Sequence, residues 1–195
     1  MPLSQAFRDL VLNDYVHRYP SRRAALIPAL WAAQNELGWV PAEAMEEIGE
    51  LLDVAPMDVY AVASFYSMFH LRPVGKYLIE VCQSPACWVN GSTETMHRLC
   101  ERLEIGDAGG HGGGTTADGQ YTVRFAECLA ACDRAPAVQV NLRYHGPVRA
   151  EDVDRFLQHT QAFNLEEPVP PVPGQSGPAG MAVEPAGPTA KESSR

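Results

Sequence analysis

The sequence predicts a mixed α/β protein: helices first, then a strand-and-helix domain, then an extended tail. Three observations carry this. Up to about residue 70, apolar residues recur at three- and four-residue spacing, the mark of helices sharing a core. Between Lys76 and about His159, short strand-like runs interrupt that spacing. From Glu166 onward Pro and Gly dominate and large apolar residues are nearly absent. With 195 residues, 46% of them apolar, the chain is long enough to bury a core without staples.

In chain order, Ser4 is placed to cap a helix with Phe7, Leu10, Val11 and Tyr15 on one face, ended by Pro20. Ser21 is a second cap, opening a helix over 22–37 with Leu26, Ile27, Leu30, Ala33 and Leu37 on one face. Pro28 lies inside it and predicts a kink or a later start. Gly38 supplies a C-terminal stop. Pro41 begins a third helix, with Met45, Ile48, Leu51 and Leu52 apolar. Pro56 begins a fourth, with Val59, Tyr60, Val62 and Ala63. The run Ala63-Ser64-Phe65-Tyr66-Ser67-Met68-Phe69-His70 is rich in aromatics. It reads either as core packing or as a docking surface for a partner.

Tyr77-Leu78-Ile79-Glu80-Val81 is a strand ending at Cys82. Ser92 is placed to cap a helix with Met96, Leu99, Cys100 and Leu103 at helical spacing. Six of the nine residues from Gly106 to Gly114 are Gly, which predicts a loop. It lacks the Lys-Ser/Thr of a phosphate-binding loop, so no nucleotide site is assigned there. Asp118-Gly119 is a turn, followed by a strand over Tyr121–Phe125 towards Cys128. A third strand covers Ala137–Val140. Arg143-Tyr144-His145 follows a turn at Asn141-Leu142 as a fourth. A helix over 150–163 bears Val153, Phe156 and Leu157. This is the outline of a thioredoxin-like α/β domain. The predicted division is a helical bundle at 1–72, the α/β domain at 73–165, and a disordered tail at 166–195 with seven Pro and four Gly from Pro168 on.

The net charge of −9 argues against a nucleic-acid surface, which needs clustered Lys and Arg. No run approaches the roughly 18 apolar residues of a membrane span, so direct membrane insertion is not expected. Residues 1–8 hold no apolar core of signal-peptide length, and a cytosolic setting is expected, or the matrix in a eukaryotic host. There, paired cysteines are more often metal-binding or catalytic than disulfide-bonded.

Four of the five cysteines form two pairs: Cys82 and Cys87 as C-x4-C, and Cys128 and Cys132 as C-x3-C, forty residues apart. Each pair follows a strand. If the two strands are neighbours, their ends bring Cys82 and Cys128 together. Small residues between the members, Ser84-Pro85-Ala86 and Leu129-Ala130-Ala131, let backbone close around a compact object. Four thiolates, two per iron, suit a [2Fe-2S] cluster, and a helix start after Cys87 would favour its negative charge. Structural zinc also takes four cysteines, although this spacing is atypical for it. A zinc-stabilised interaction module therefore stays open as a reading from another class. A thiol couple would want C-x-x-C, which is absent. Cys100 reads as a buried small hydrophobe. His17, His70, His97, His111, His145 and His159 form no ligand pair or triad.

These residues resemble a known family. Val81-Cys82-Gln83-Ser84-Pro85-Ala86-Cys87, Gly91-Ser92, Thr115-Thr116-Ala117-Asp118-Gly119, Glu127 through Pro136 and Gln139-Val140-Asn141 resemble the 24-kDa subunit of respiratory complex I. Its bacterial counterpart belongs to NADH:quinone oxidoreductase and has a thioredoxin-like [2Fe-2S] ferredoxin fold. Leu26 through Leu30, Gln34, Gly38-Trp39-Val40 and Val62 through Phe69 agree with its helical region. The resemblance runs from about Tyr19 to about Leu157.

It implies that Cys82, Cys87, Cys128 and Cys132 ligate one [2Fe-2S] cluster, with FMN and NADH on a partner subunit. The chain would be a non-catalytic electron-transfer subunit, exchanging single electrons with that flavin beside other peripheral-arm subunits, on the cytoplasmic side of the membrane. It would not oxidise NADH alone. The equivalent subunit of an NAD-linked hydrogenase or formate dehydrogenase fits the same residues. Ala130 departs from the family, where Gly is usual. Gly109–Gly114 resembles an insertion that makes a mobile surface loop, and Tyr144 through Val148 is also off-pattern.

Overall fold

The computed structural model describes residues 3–106 and 113–161. The predicted tail at 166–195, His111, Gly109–Gly112 and the end of the last helix at Phe163 lie outside the described residues. Those described fall into two compact units that divide after Pro73.

The first unit is helical. Helix α1 (Gln5–Leu10) is capped by Ser4, whose Oγ accepts from the Phe7 N–H at 3.1 Å. It runs through a π-helical turn, Val11–Tyr15, into α2 (Val16–Arg18). The buried stripe is Leu3, Phe7 and Val11, while Leu10 is exposed, against expectation. The i to i+4 spacing of Phe7 and Val11 sets the face, and Leu10 falls beside it.

Ser21 holds the N-cap position of a 3-10 turn, Arg22–Ala25, but its side chain makes no capping bond. Helix α3 starts only at Leu26 and ends at Leu37. Pro28 thus sits in its first turn, where no intrahelical N–H is lost. Gly38 closes the helix in the left-handed region at φ 80°. Helices α4 (Ala42–Leu52) and α5 (Pro56–Phe65) follow, α5 with Pro at its first position. Leu26, Leu30, Val40, Ile48, Leu52 and Val59 fill one core.

The aromatic run after α5 divides. Phe69 is buried and meets Trp31 edge-on, with ring centroids 5.9 Å apart. Phe65 is 79% exposed. Gln34 fixes the run: its Nε2 donates to the Met68 carbonyl at 2.9 Å, and its Oε1 accepts from the His70 N–H at 2.6 Å.

The second unit is a five-stranded sheet in the order β2-β3-β1-β4-β5. The strands are β1 (Tyr77–Cys82), β2 (Gly113–Thr115), β3 (Tyr121–Ala126), β4 (Val138–Val140) and β5 (Arg143–His145). Only β1 and β3 are parallel; the other pairings are antiparallel. One face carries Tyr77, Ile79, Val81 and Val123 against α7 (Ser92–Arg102) and α8 (Val153–Gln161). On the alternate positions Glu80 and Arg124, register partners, form an ion pair at 2.7 Å.

Three features depart from the sequence reading. Gly113 and Gly114, expected as loop, form the edge strand β2 together with Thr115. Gly113 lies at φ 117°, and a side chain there would run into the Val123 carbonyl. Second, Ser92 does not cap α7: Gly91 occupies the cap, and the Ser92 hydroxyl is fully buried inside the first turn. Third, a short helix α6 (Pro85–Trp88) precedes α7. Asn141 and Leu142, at φ 45° and 67°, make the tight turn expected between β4 and β5. The Asn141 amide extends the pairing of β1, accepting from the Leu78 N–H at 2.7 Å and donating to the Lys76 carbonyl at 2.8 Å.

Candidate metal centre

The parallel pairing of β1 and β3 puts Cys82 opposite Ala126, and Cys128 lies two residues beyond. The two strands are therefore neighbours, as the sequence reading required. The Cys82 N–H donates to the Ala137 carbonyl at 3.1 Å and the Gln83 N–H to the Ala126 carbonyl at 2.9 Å. These bonds tie the end of β1 to both of its neighbours.

Cys87 sits within α6, ahead of the start of α7 at Ser92. Pro85 opens the turn, and the N–H groups of Cys87 and Trp88 both donate to the Ser84 carbonyl at 2.9 Å. This folds Cys87 inward. Cys82 and Cys87 are buried, while Cys128 and Cys132 are exposed. Leu129, between the exposed two, is buried and packs with Cys82, Cys87 and Ala137 in a small cluster. Ala126, Ala131 and Ala135 surround that cluster. Small side chains leave the backbone close to the sulfurs.

Two backbone N–H groups point at sulfur. Ala137 donates to Cys87 Sγ at 3.5 Å and Ala130 to Cys128 Sγ at 3.4 Å. Burial pushes the Cys87 thiol above its ordinary range; the Ala137 N–H works against this, and neighbouring Cys82 and Cys132 add to it. Cys82, Cys87 and Cys132 therefore share one electrostatic neighbourhood, and Cys128 holds the rim of the same loop. Cys100 lies apart on α7, half-buried.

Among the described residues, no three or more His, Cys, Asp or Glu converge as a single-ion site requires. A [2Fe-2S] cluster takes four thiolates, two on each iron. Paired cysteines, small neighbours and N–H groups aimed at sulfur fit such a cluster. The sequence reading missed the Ala137 and Ala130 donors and the inward turn of α6. Ala130, already conspicuous as a non-glycine, lies at φ 53° and was the one signal available.

The fold and this cysteine cradle define a small iron–sulfur protein built on a thioredoxin-like sheet. The family model described as thioredoxin-like [2Fe-2S] ferredoxin matches residues 12–161, and the chain belongs to that family. One [2Fe-2S] cluster is its cofactor. The chain is 38% identical over 156 residues to the NADH-quinone oxidoreductase subunit designated E in Pseudomonas aeruginosa, covering 80% of this chain and 90% of that one. It is 41% identical over 132 residues to NADH-quinone oxidoreductase subunit 2 of Thermus thermophilus, covering 67% and 70%. Among solved structures it resembles an NAD+-reducing [NiFe]-hydrogenase in the air-oxidised state, with a TM-score of 0.58 and 27% identity. That match covers 70% of this chain and 23% of the hydrogenase chain.

Proposed function

We propose that this chain is the [2Fe-2S] electron-transfer subunit of an NADH:quinone oxidoreductase, exchanging single electrons with FMN on a neighbouring NADH-binding subunit. The observation that carries this is the cysteine cradle, in a chain that aligns with NADH-quinone oxidoreductase relatives over most of their length.

Cys82, Cys87, Cys128 and Cys132 are the ligands in this reading. When bound, the cluster supplies a one-electron store beside a flavin that receives hydride two electrons at a time. The chain's own residues do the rest. Cys82 and Cys87 bury one side of the site, and Leu129 anchors the loop that closes it. The N–H groups of Ala137 and Ala130 stabilise thiolate charge. Burial favours the neutral form of the Cys87 thiol, so ligation there would have to displace its proton.

The domain division at 1–72, 73–165 and 166–195 belongs to this reading, with the cradle in the middle part. The partners are the FMN- and NADH-binding subunit and other peripheral-arm subunits, and the site of action is the cytoplasmic side of the membrane. No helix among the described residues is long and apolar enough to cross a membrane. No dinucleotide site is assigned to this chain, so NADH oxidation by the isolated subunit is not expected. The likeness to an NAD+-reducing hydrogenase supports a second reading, the equivalent subunit of an NAD-linked hydrogenase or formate dehydrogenase.

Anaerobic purification tests the cofactor. Reddish-brown protein with two irons and two acid-labile sulfides per chain is the expected result; colourless protein carrying one zinc overturns it. Purifying the native assembly under mild detergent separates the two complexes. A flavin subunit with quinone-reducing membrane partners supports the first, and a nickel or molybdenum subunit the second.

A further inference from the structure

The residues directly after Cys87 are the most exposed large apolar side chains described in this unit. Trp88 is 63% exposed and Val89 70%. They stand on a firm base. Pro85 fixes the first residue of α6, the Trp88 carbonyl accepts from the Gly91 N–H at 3.1 Å, and the Asn90 side chain donates to the Ala86 carbonyl at 2.7 Å. A Trp held out to water on ordered backbone is already arranged for binding, so little freedom is lost on docking. Trp is also the residue type most enriched among energetically dominant interface positions.

The position of this pair says what covers it. Cys87 packs with Leu129, so α6 borders the loop that exposes Cys128 and Cys132. Electron exchange requires a partner's redox centre to come close to these sulfurs, and the rim around them is covered when it does. The charge of that rim narrows the partner further. Glu127 and Asp133 are exposed beside the two cysteines, and bound thiolates add negative charge. Arg134 offsets part of this through Asp133, at 3.4 Å. A complementary surface is therefore an apolar pocket edged with Lys or Arg.

We propose that Trp88 and Val89 are the apolar anchor by which the cysteine-bearing unit docks on the flavin-bearing subunit, into an apolar pocket with a basic rim. This rests on the electron-transfer reading above.

The test uses the full chain with its cluster and the flavin subunit isolated from the native assembly. Affinity is measured by calorimetry at low and high salt, and cluster content by visible and EPR spectra. Trp88→Ala is expected to weaken binding at least about tenfold with unchanged spectra. Trp88→Phe is expected to restore most of the affinity, and Tyr144→Ser, on β5, to leave it unchanged. Should Trp88→Ala lose its cluster, Val89→Asp carries the test in its place, with the same expected loss. Wild-type affinity in cluster-loaded Trp88→Ala and Val89→Asp overturns the anchor, and affinity indifferent to salt overturns the basic rim. Wild-type chain that carries its cluster but does not bind the flavin subunit overturns the electron-transfer reading, and the anchor with it.

Discussion

The Ala130 N–H donates to Cys128 Sγ at 3.4 Å while Ala130 itself is held at φ 53°, a region an alanine rarely enters. The bond to sulfur and the unusual backbone come together: the turn that aims the N–H puts a methyl group where glycine would carry no penalty. A left-handed L-residue costs roughly 1–2 kcal/mol, and glycine returns part of that through its freer unfolded chain. Ala130→Gly is expected to stabilise the cluster-free fold by about 0.5–1 kcal/mol, read from urea denaturation. It is also expected to keep a full complement of iron. Loss of stability would mean that the alanine methyl group makes compensating contacts.

The ligand assignment separates Cys128 from Cys100. Cys128→Ala is expected to lose or degrade the cluster, and Cys100→Ala to retain it, as judged by iron, sulfide and visible absorption. A retained cluster in the first variant, or a lost one in a folded second variant, would show the assignment to be wrong.

Gln34 makes two bonds to the segment after α5 and is itself buried. Gln34→Leu keeps the approximate volume but leaves the Met68 carbonyl and the His70 N–H without that partner. Both bonds are partly buried, so the expected cost is about 1 kcal/mol for each. Near-ultraviolet circular dichroism, reporting on Trp31 against Phe69, should change with it.

His145 supplies a pH dependence. Burial, and then the positive neighbours His159 and Arg143, push its pKa down to about 4. A base depressed in the fold favours the folded state when neutral. Its contribution is complete above the ordinary histidine range and is lost as pH falls from about 6.5 towards 4. The melting temperature of wild-type protein should fall more steeply across that window than that of His145→Gln.

Much of the helical unit was legible because its signals are local. Ser4 caps from three residues away, Pro56 opens α5, and Gly38 ends α3. Serine elsewhere misled. Ser21 and Ser92 occupy cap-like places, but a cap bond needs the chain to enter at the right angle, and at Ser92 the entry is made by Gly91 at φ 93°. The edge strand β2 was hidden because glycine carries no strand preference of its own. There, pairing with β3 and lack of room for a side chain decide the matter. The four cysteines stood out by spacing. Which pair is buried could not be read, since that depends on a single turn of helix folding Cys87 inward.

The six register pairs between β1 and β3 also separate two things that sequence joins. Forty residues connect Cys87 to Cys128, yet the distance between the two cysteine loops is set by backbone pairing across the sheet and not by that connection. A turn within that connection can therefore change in length without respacing the sulfurs, so long as β1 and β3 stay paired. An insertion in such a turn would leave β1 and β3 in register, whereas one between Cys82 and Cys87 or between Cys128 and Cys132 would move the sulfurs themselves.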